Sequence, residues 1–167
     1  HPQIATPENV TPPPYYPDHE ITRAEWARYL NSVSGMDVRC GWILEQLQKE
    51  ELADDTVVIF FSDNGRLEAR GIHWCWDSGL HVPMIIRWPG VTKPGSVCDV
   101  PVISIDIFPT ILEAAGVPLP NDRAIDGLSL LSHLKSGGRA NLDRDQLLWH
   151  FPHYRYGSPP YSIIRQG

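Results

Sequence analysis

Apolar residues recur at three- and four-residue steps from Trp26 through Tyr29, Val33, Met36, Cys40, Ile43 and Leu44 to Leu47. That spacing predicts a long amphipathic helix over roughly 22–50. Thr22 and Glu25, three apart at its start, read as a capping box. Gly35 and Gly41 weaken the helix within, though glycine also permits close packing. The pattern then changes. Thr56 to Phe61 is an uninterrupted β-branched and aromatic run that stops abruptly at Ser62-Asp63-Asn64-Gly65. A strand apolar on both faces predicts a buried, mostly parallel sheet. Val82–Trp88 reads as a second strand and Val100–Ile105 as a short third. Asp106 is placed to cap a helix over 107–115 that Gly116 ends, and a smaller helix follows over 129–135, closed by Gly137-Gly138. The order of helix, strand, polar loop, strand and helix predicts an α/β fold, a mostly parallel sheet flanked by helices.

Six of the first 18 residues are proline, so residues 1–21 are expected to lie extended over a surface. The whole chain carries 13 glycines and 16 prolines, about 17% against roughly 12% on average, which means many loops. Its 167 residues suit one domain, and 42% hydrophobic content excludes a disordered chain. A net charge of −6 argues against nucleic acid or an anionic membrane as partner. No apolar run reaches the roughly 20 residues of a transmembrane segment. The sequence opens without Met and stops inside a strand-like run at Ile163–Gly167, so a piece of a longer protein is expected.

The chemistry is concentrated just after the first strand. In open α/β sheets, ligands bind beyond the carboxyl ends of strands, where Asp63 and Asn64 stand. Both offer hard oxygen donors suited to Ca²⁺ or Mg²⁺, and Asp-Asn-Gly also suits an ordinary turn. Two oxygens do not complete a metal site. Cys40, Cys75 and Cys98 admit one disulfide plus a free thiol, or none, and the His and Cys spacing does not suit zinc. Asn9-Val10-Thr11 matches a glycosylation acceptor.

Several segments, in order, closely resemble one family. VVIFFSDNG (57–65) and ARGIHWCWDSGLHVPMIIRWPG (69–90) carry the likeness. ARYLNSVSGMDVRCGWILEQL (27–47), SIDIFPTILEAAGVPLP (104–120), IDGLSLLSHL (125–134) and LLWHFPHYRYGSPPYSIIRQG (147–167) extend it. Together they resemble the formylglycine-dependent sulfatases of the alkaline-phosphatase-like superfamily. The resemblance implies that 22–140 is part of the catalytic α/β domain and that 141–167 is an aromatic loop leading into a C-terminal subdomain.

It also implies hydrolysis of a sulfate ester, with sulfated glycans among the partners, and an exported protein. A Ca²⁺ or Mg²⁺ would be held by Asp63 and Asn64 together with two aspartates upstream. The nucleophile would be a formylglycine made from the Cys of a C-x-P-S-R motif. None of the three cysteines sits in that motif, so the nucleophile is expected upstream of His1. The family's sulfate-binding Lys falls at Ile72, which cannot hold an oxyanion; Arg70 and His73 are the nearest substitutes, and Arg66 is expected to be solvated. His150 and His153, flanking Phe151-Pro152, are expected either to overhang the pocket and help choose the substrate or to sit in aromatic packing that pins a Pro-rich loop. A module that kept the scaffold and binds sulfated glycans without cleaving them is the competing expectation, favoured by Ile72.

Overall fold

A computed structural model describes residues 3–66, 71–154 and 157–166 and divides into two units, His1–Thr56 and Val57–Gly167.

In the first unit, helix α1 (Glu20–Lys49) is preceded by an irregular, proline-rich segment that turns at residues 7–9 and 14–16. The chain enters the helix earlier than the Thr22–Glu25 pair predicts. His19 is the N-cap, and its Nδ1 accepts from the Ile21 N–H at 3.2 Å. The helix runs unbroken through Gly35 and Gly41. Its first half binds the proline-rich segment. The buried Asn31 amide mimics a strand partner: Oδ1 accepts from the Ala5 N–H at 3.0 Å and Nδ2 donates to the Ala5 carbonyl at 2.8 Å. Arg23 donates to the Val10 carbonyl (2.9 Å) and pairs with Asp18, and that guanidinium holds the Asp18 carboxyl below its usual range. Ala5, Val10 and Ala27 form a small core against Trp26 and Leu30. Beyond Asn31 the predicted apolar stripe is largely uncovered, with Met36, Ile43 and Leu44 exposed.

In the second unit, β1 (Val58–Phe61) pairs with β2 (Met84–Arg87) in the register Val58↔Arg87 to Phe61↔Met84. The pairing is antiparallel, so the expected mostly parallel sheet is not present among the described residues. The reason lies in the connection. A parallel return needs a crossover of a dozen or more residues, usually helical, that carries the chain back along the sheet. Here α2 (Asp77–Leu80) is the one helix among the described residues between β1 and β2, and the chain re-enters beside the strand it left, the Ser62 N–H already bonded to the Pro83 carbonyl at 3.2 Å. Phe61 and Ile85 remain 43% and 63% exposed, so this ladder is not covered on both faces within the unit.

The third strand expected at 100–105 is instead a loop ending in a 3₁₀ turn, Ser104–Asp106, that feeds α3 (Ile107–Ala114). Gly116, at φ +67°, ends that helix, and α4 (Leu131–Lys135) closes at Gly137 and Gly138, both at positive φ. The segment read as an aromatic loop holds a second antiparallel ladder, β3 (Gln146–Phe151) with β4 (Tyr161–Gln166). Leu130 and Leu131 at the start of α4 and Leu147 on β3 are buried apolar residues of this unit. No helix among the described residues is long and apolar enough to cross a membrane.

Candidate functional site

The polar loop leaves the carboxyl end of β1 and is shaped by close backbone packing. The Ser62 hydroxyl donates to the Asn64 carbonyl at 2.8 Å, and the Gly65 N–H donates to the Gly79 carbonyl at 3.0 Å. A Cβ on Gly65 would stand 2.1 Å from the Ser78 carbonyl oxygen, and one on Gly79 would stand 2.0 Å from that of Trp74. Only glycine lets the two loops touch this closely. The Ile72 N–H donates to the Arg66 carbonyl at 2.7 Å. Arg66 places Nε and Nη2 out of water rather than in solvent.

A cleft of about 1350 Å³ opens at this end of the strand, with Asp63, Asn64, Ile72, His73 and His150 among its lining residues. His73 takes a left-handed backbone, φ +72°, uncommon outside glycine. Its carbonyl accepts from the Tyr161 hydroxyl at 2.9 Å, which ties the loop to β4. Burial pushes the Tyr161 hydroxyl above its usual pKa of 10.0. Phe151 sits at the centre of an aromatic group, 6.1 Å from the His73 ring, 5.5 Å from Tyr161 and 5.2 Å from His153.

The sequence-predicted residues are therefore brought together unevenly. Asp63, Asn64 and His73 border one cleft, and His153 joins His73 through Phe151. His150 borders the cleft from the face of β3 opposite Trp149 and Phe151, its Nδ1 2.7 Å from Ser162 Oγ. Arg70 lies outside the described residues. Ile72 lines the cleft, so an alkyl chain stands at that point of the wall. The sequence reading missed Tyr161, although Tyr161 and Ile163 alternate in a period of two that marks one strand face.

Asp63 is exposed and Asn64 half-buried, and both offer oxygen to the cleft, a donor set that suits a hard cation. Among the described residues no group of three His, Cys, Asp or Glu side chains gathers as a metal cage, so this pair supplies two ligands at most. All three cysteines are free thiols.

Comparisons with known proteins agree on one family. The sulfatase family profile matches residues 4–117. Human steryl-sulfatase is 36% identical over 140 residues, which cover 74% of this chain and 24% of that protein. A sulfatase of Formosa agariphila is 33% identical over 170 residues, covering 88% of this chain and 30% of its own length. Among solved structures, the phosphonate monoester hydrolase SpPMH from Silicibacter pomeroyi superposes with a TM-score of 0.70 at 28% identity, covering 92% of this chain and 33% of its own. The chain thus spans a quarter to a third of the length of these relatives. With a profile match over most of its length and a fold shared with such a hydrolase, the chain belongs to the sulfatase family.

Proposed function

We propose that this chain is the later part of a sulfuric ester hydrolase in which Asp63 and Asn64 hold part of a Ca²⁺ or Mg²⁺ site. One observation carries the reading: two hard oxygen donors face an open cleft at the carboxyl end of a strand, in a chain of the sulfatase family. Ca²⁺ takes about six to eight oxygens, so the remaining ligands come from water and from residues outside this chain. When bound, the cation supplies Lewis-acid stabilisation of the sulfuryl oxygens. The formylglycine nucleophile likewise belongs outside the chain, so the chain alone is inactive. The exported location is part of the same proposal and rests on the family.

The residues present have definable tasks in this scheme. Asp63 and Asn64 would hold the cation through their side-chain oxygens. His73, with Arg70 beside it in sequence, holds the sulfate oxygen that the family's Lys holds elsewhere, and the Tyr161 contact fixes the His73 backbone for that task. His153 and His150 bind the alcohol portion of the ester, His153 from the Phe151 group and His150 from the outer face of β3. The part 22–140 belongs to the catalytic domain, and 141–167 leads into a C-terminal subdomain.

Ile72 in the cleft wall favours a second reading, a module that binds sulfated glycans without cleaving them. Assays of the complete protein separate the two. The first reading expects sulfate release from an aryl sulfate, and faster release in Ile72→Lys, because a permanent charge there adds to the His73 contact with the same transition-state oxygen, by at most a factor of roughly 10². Retention on an immobilised sulfated glycan with no sulfate released supports the second. A phosphonate monoester belongs in the same assay because SpPMH shares the fold.

A further inference from the structure

Cys98 lies in the loop between β2 and the 3₁₀ turn, exposed and at the wall of the cleft, with no part in the roles above. Its Sγ is 2.9 Å from Nε2 of His133, a residue of α4 that is only 3% exposed. The other ring nitrogen, Nδ1, is 2.5 Å from the Ala140 carbonyl oxygen. A carbonyl can only accept, so Nδ1 carries a proton, and in that tautomer of the imidazole Nε2 is the nitrogen whose lone pair faces the thiol.

The surrounding turn is built to hold that ring. Gly137 and Gly138 reverse the chain after α4 at φ +65° and +84°. The Ser136 hydroxyl donates to the His133 carbonyl at 2.8 Å and accepts from the Arg139 and Ala140 N–H groups at 3.0 and 2.8 Å. Ala140 is thereby fixed where its carbonyl meets Nδ1. A thiol, a base within hydrogen-bond reach and a third group orienting the base are the three parts of an activated nucleophile. A purely structural cysteine is buried and inert, whereas Cys98 is exposed.

We propose that Cys98 is a thiol-modification site that takes up small disulfides, with His133 as its base. Nε2 of His133 accepts the Cys98 proton as the sulfur attacks one sulfur of a disulfide R–S–S–R. A bond forms between Cys98 Sγ and that sulfur, the original S–S bond breaks, and the departing thiolate takes the proton from His133 and leaves as R–SH. The small disulfide is the oxidant and is itself half reduced, so protons and electrons balance.

Dithiodipyridine, an uncharged disulfide whose released thione is coloured, tests the proposal, with peptide mapping to assign each labelled cysteine. In the folded protein Cys98 should react first, at least about tenfold faster than the same cysteine in urea, where the His133 contact is lost. His133→Gln, checked for folding by circular dichroism, should lose that acceleration, and Cys98→Ser should remove the fast phase. Equal or slower reaction of Cys98 in the folded protein, or earlier labelling of Cys40 or Cys75, would overturn the assignment. So would an unchanged rate in folded His133→Gln. If that variant does not fold, the folded-against-urea comparison of the wild type decides.

Discussion

Asp106 has no exposed surface, and its carboxylate faces four donors. It accepts from the Ile103 N–H at 3.0 Å, from the Leu128 N–H at 2.9 Å and from both terminal nitrogens of Arg144. Its carbonyl accepts from the Thr110 hydroxyl, which in turn accepts from the Leu130 N–H at 2.8 Å. One residue thus joins the 3₁₀ turn, α3, the loop before α4 and the approach to β3. The sequence marked Asp106 as a helix cap, because caps are local; Arg144, 38 residues on, gives no local signal. Removing one partner of a buried pair leaves an uncompensated charge, so Arg144→Ala should cost about 3–5 kcal/mol in urea unfolding. A loss below about 1 kcal/mol would mean the pair behaves like a surface bridge.

Tyr161 makes a second prediction at this scale, with a definite pH sign. Burial raises its hydroxyl above 10.0, so the folded protein favours the neutral form. The stability this lends is fully present below the unfolded value and is lost as pH rises through the folded one. Wild type should therefore exceed Tyr161→Phe in thermal stability at pH 8, by about 1 kcal/mol for the hydrogen bond to the His73 carbonyl. The gap should narrow above pH 10. A gap that widens there would show that the hydroxyl is not desolvated.

Among the elements, those with strong local signals were legible. The helices over 107–115 and 129–135 end where glycine supplies the left-handed turn, and the first two strands fall inside their apolar runs. Pairing was not legible. Val58–Phe61 reads as a parallel strand because it is apolar on both faces, yet its partner arrives antiparallel. Of the β3–β4 ladder only the strand-like end at Ile163–Gly167 was legible; β3 and the pairing were hidden by the prolines and aromatics of their connection. The proline-rich arm forms no helix or strand among its described residues, and what holds it is a side chain with no motif, Asn31. Asn31→Ala would leave the Ala5 N–H and carbonyl without their partner, at about 1–3 kcal/mol. Limited proteolysis should then cut within residues 3–18 well before α1 is attacked. Equal resistance in wild type and variant would assign the arm's order to Arg23 instead.

For the molecule as a whole, the candidate site was legible in its central pair and not in its surroundings. Asp63 and Asn64 announce themselves by chemistry at a strand end, whereas the glycine contact that shapes their loop and the Tyr161 bond to His73 depend on residues far apart in sequence. Two donors also explain why this chain should bind Ca²⁺ weakly by itself: coordination by water leaves little gain over free solution. Titration calorimetry on the chain should show no micromolar site at that pair. The central claim is that Asp63 serves sulfate ester hydrolysis in the complete protein. The most direct measurement is kcat/KM for an aryl sulfate, with Ca²⁺ present, for the complete protein and its Asp63→Ala variant. The expected result is an active wild type and a variant slower by a factor of about 10² or more, the size of losing one transition-state charge contact. An active wild type whose Asp63→Ala variant keeps the same kcat/KM would contradict it.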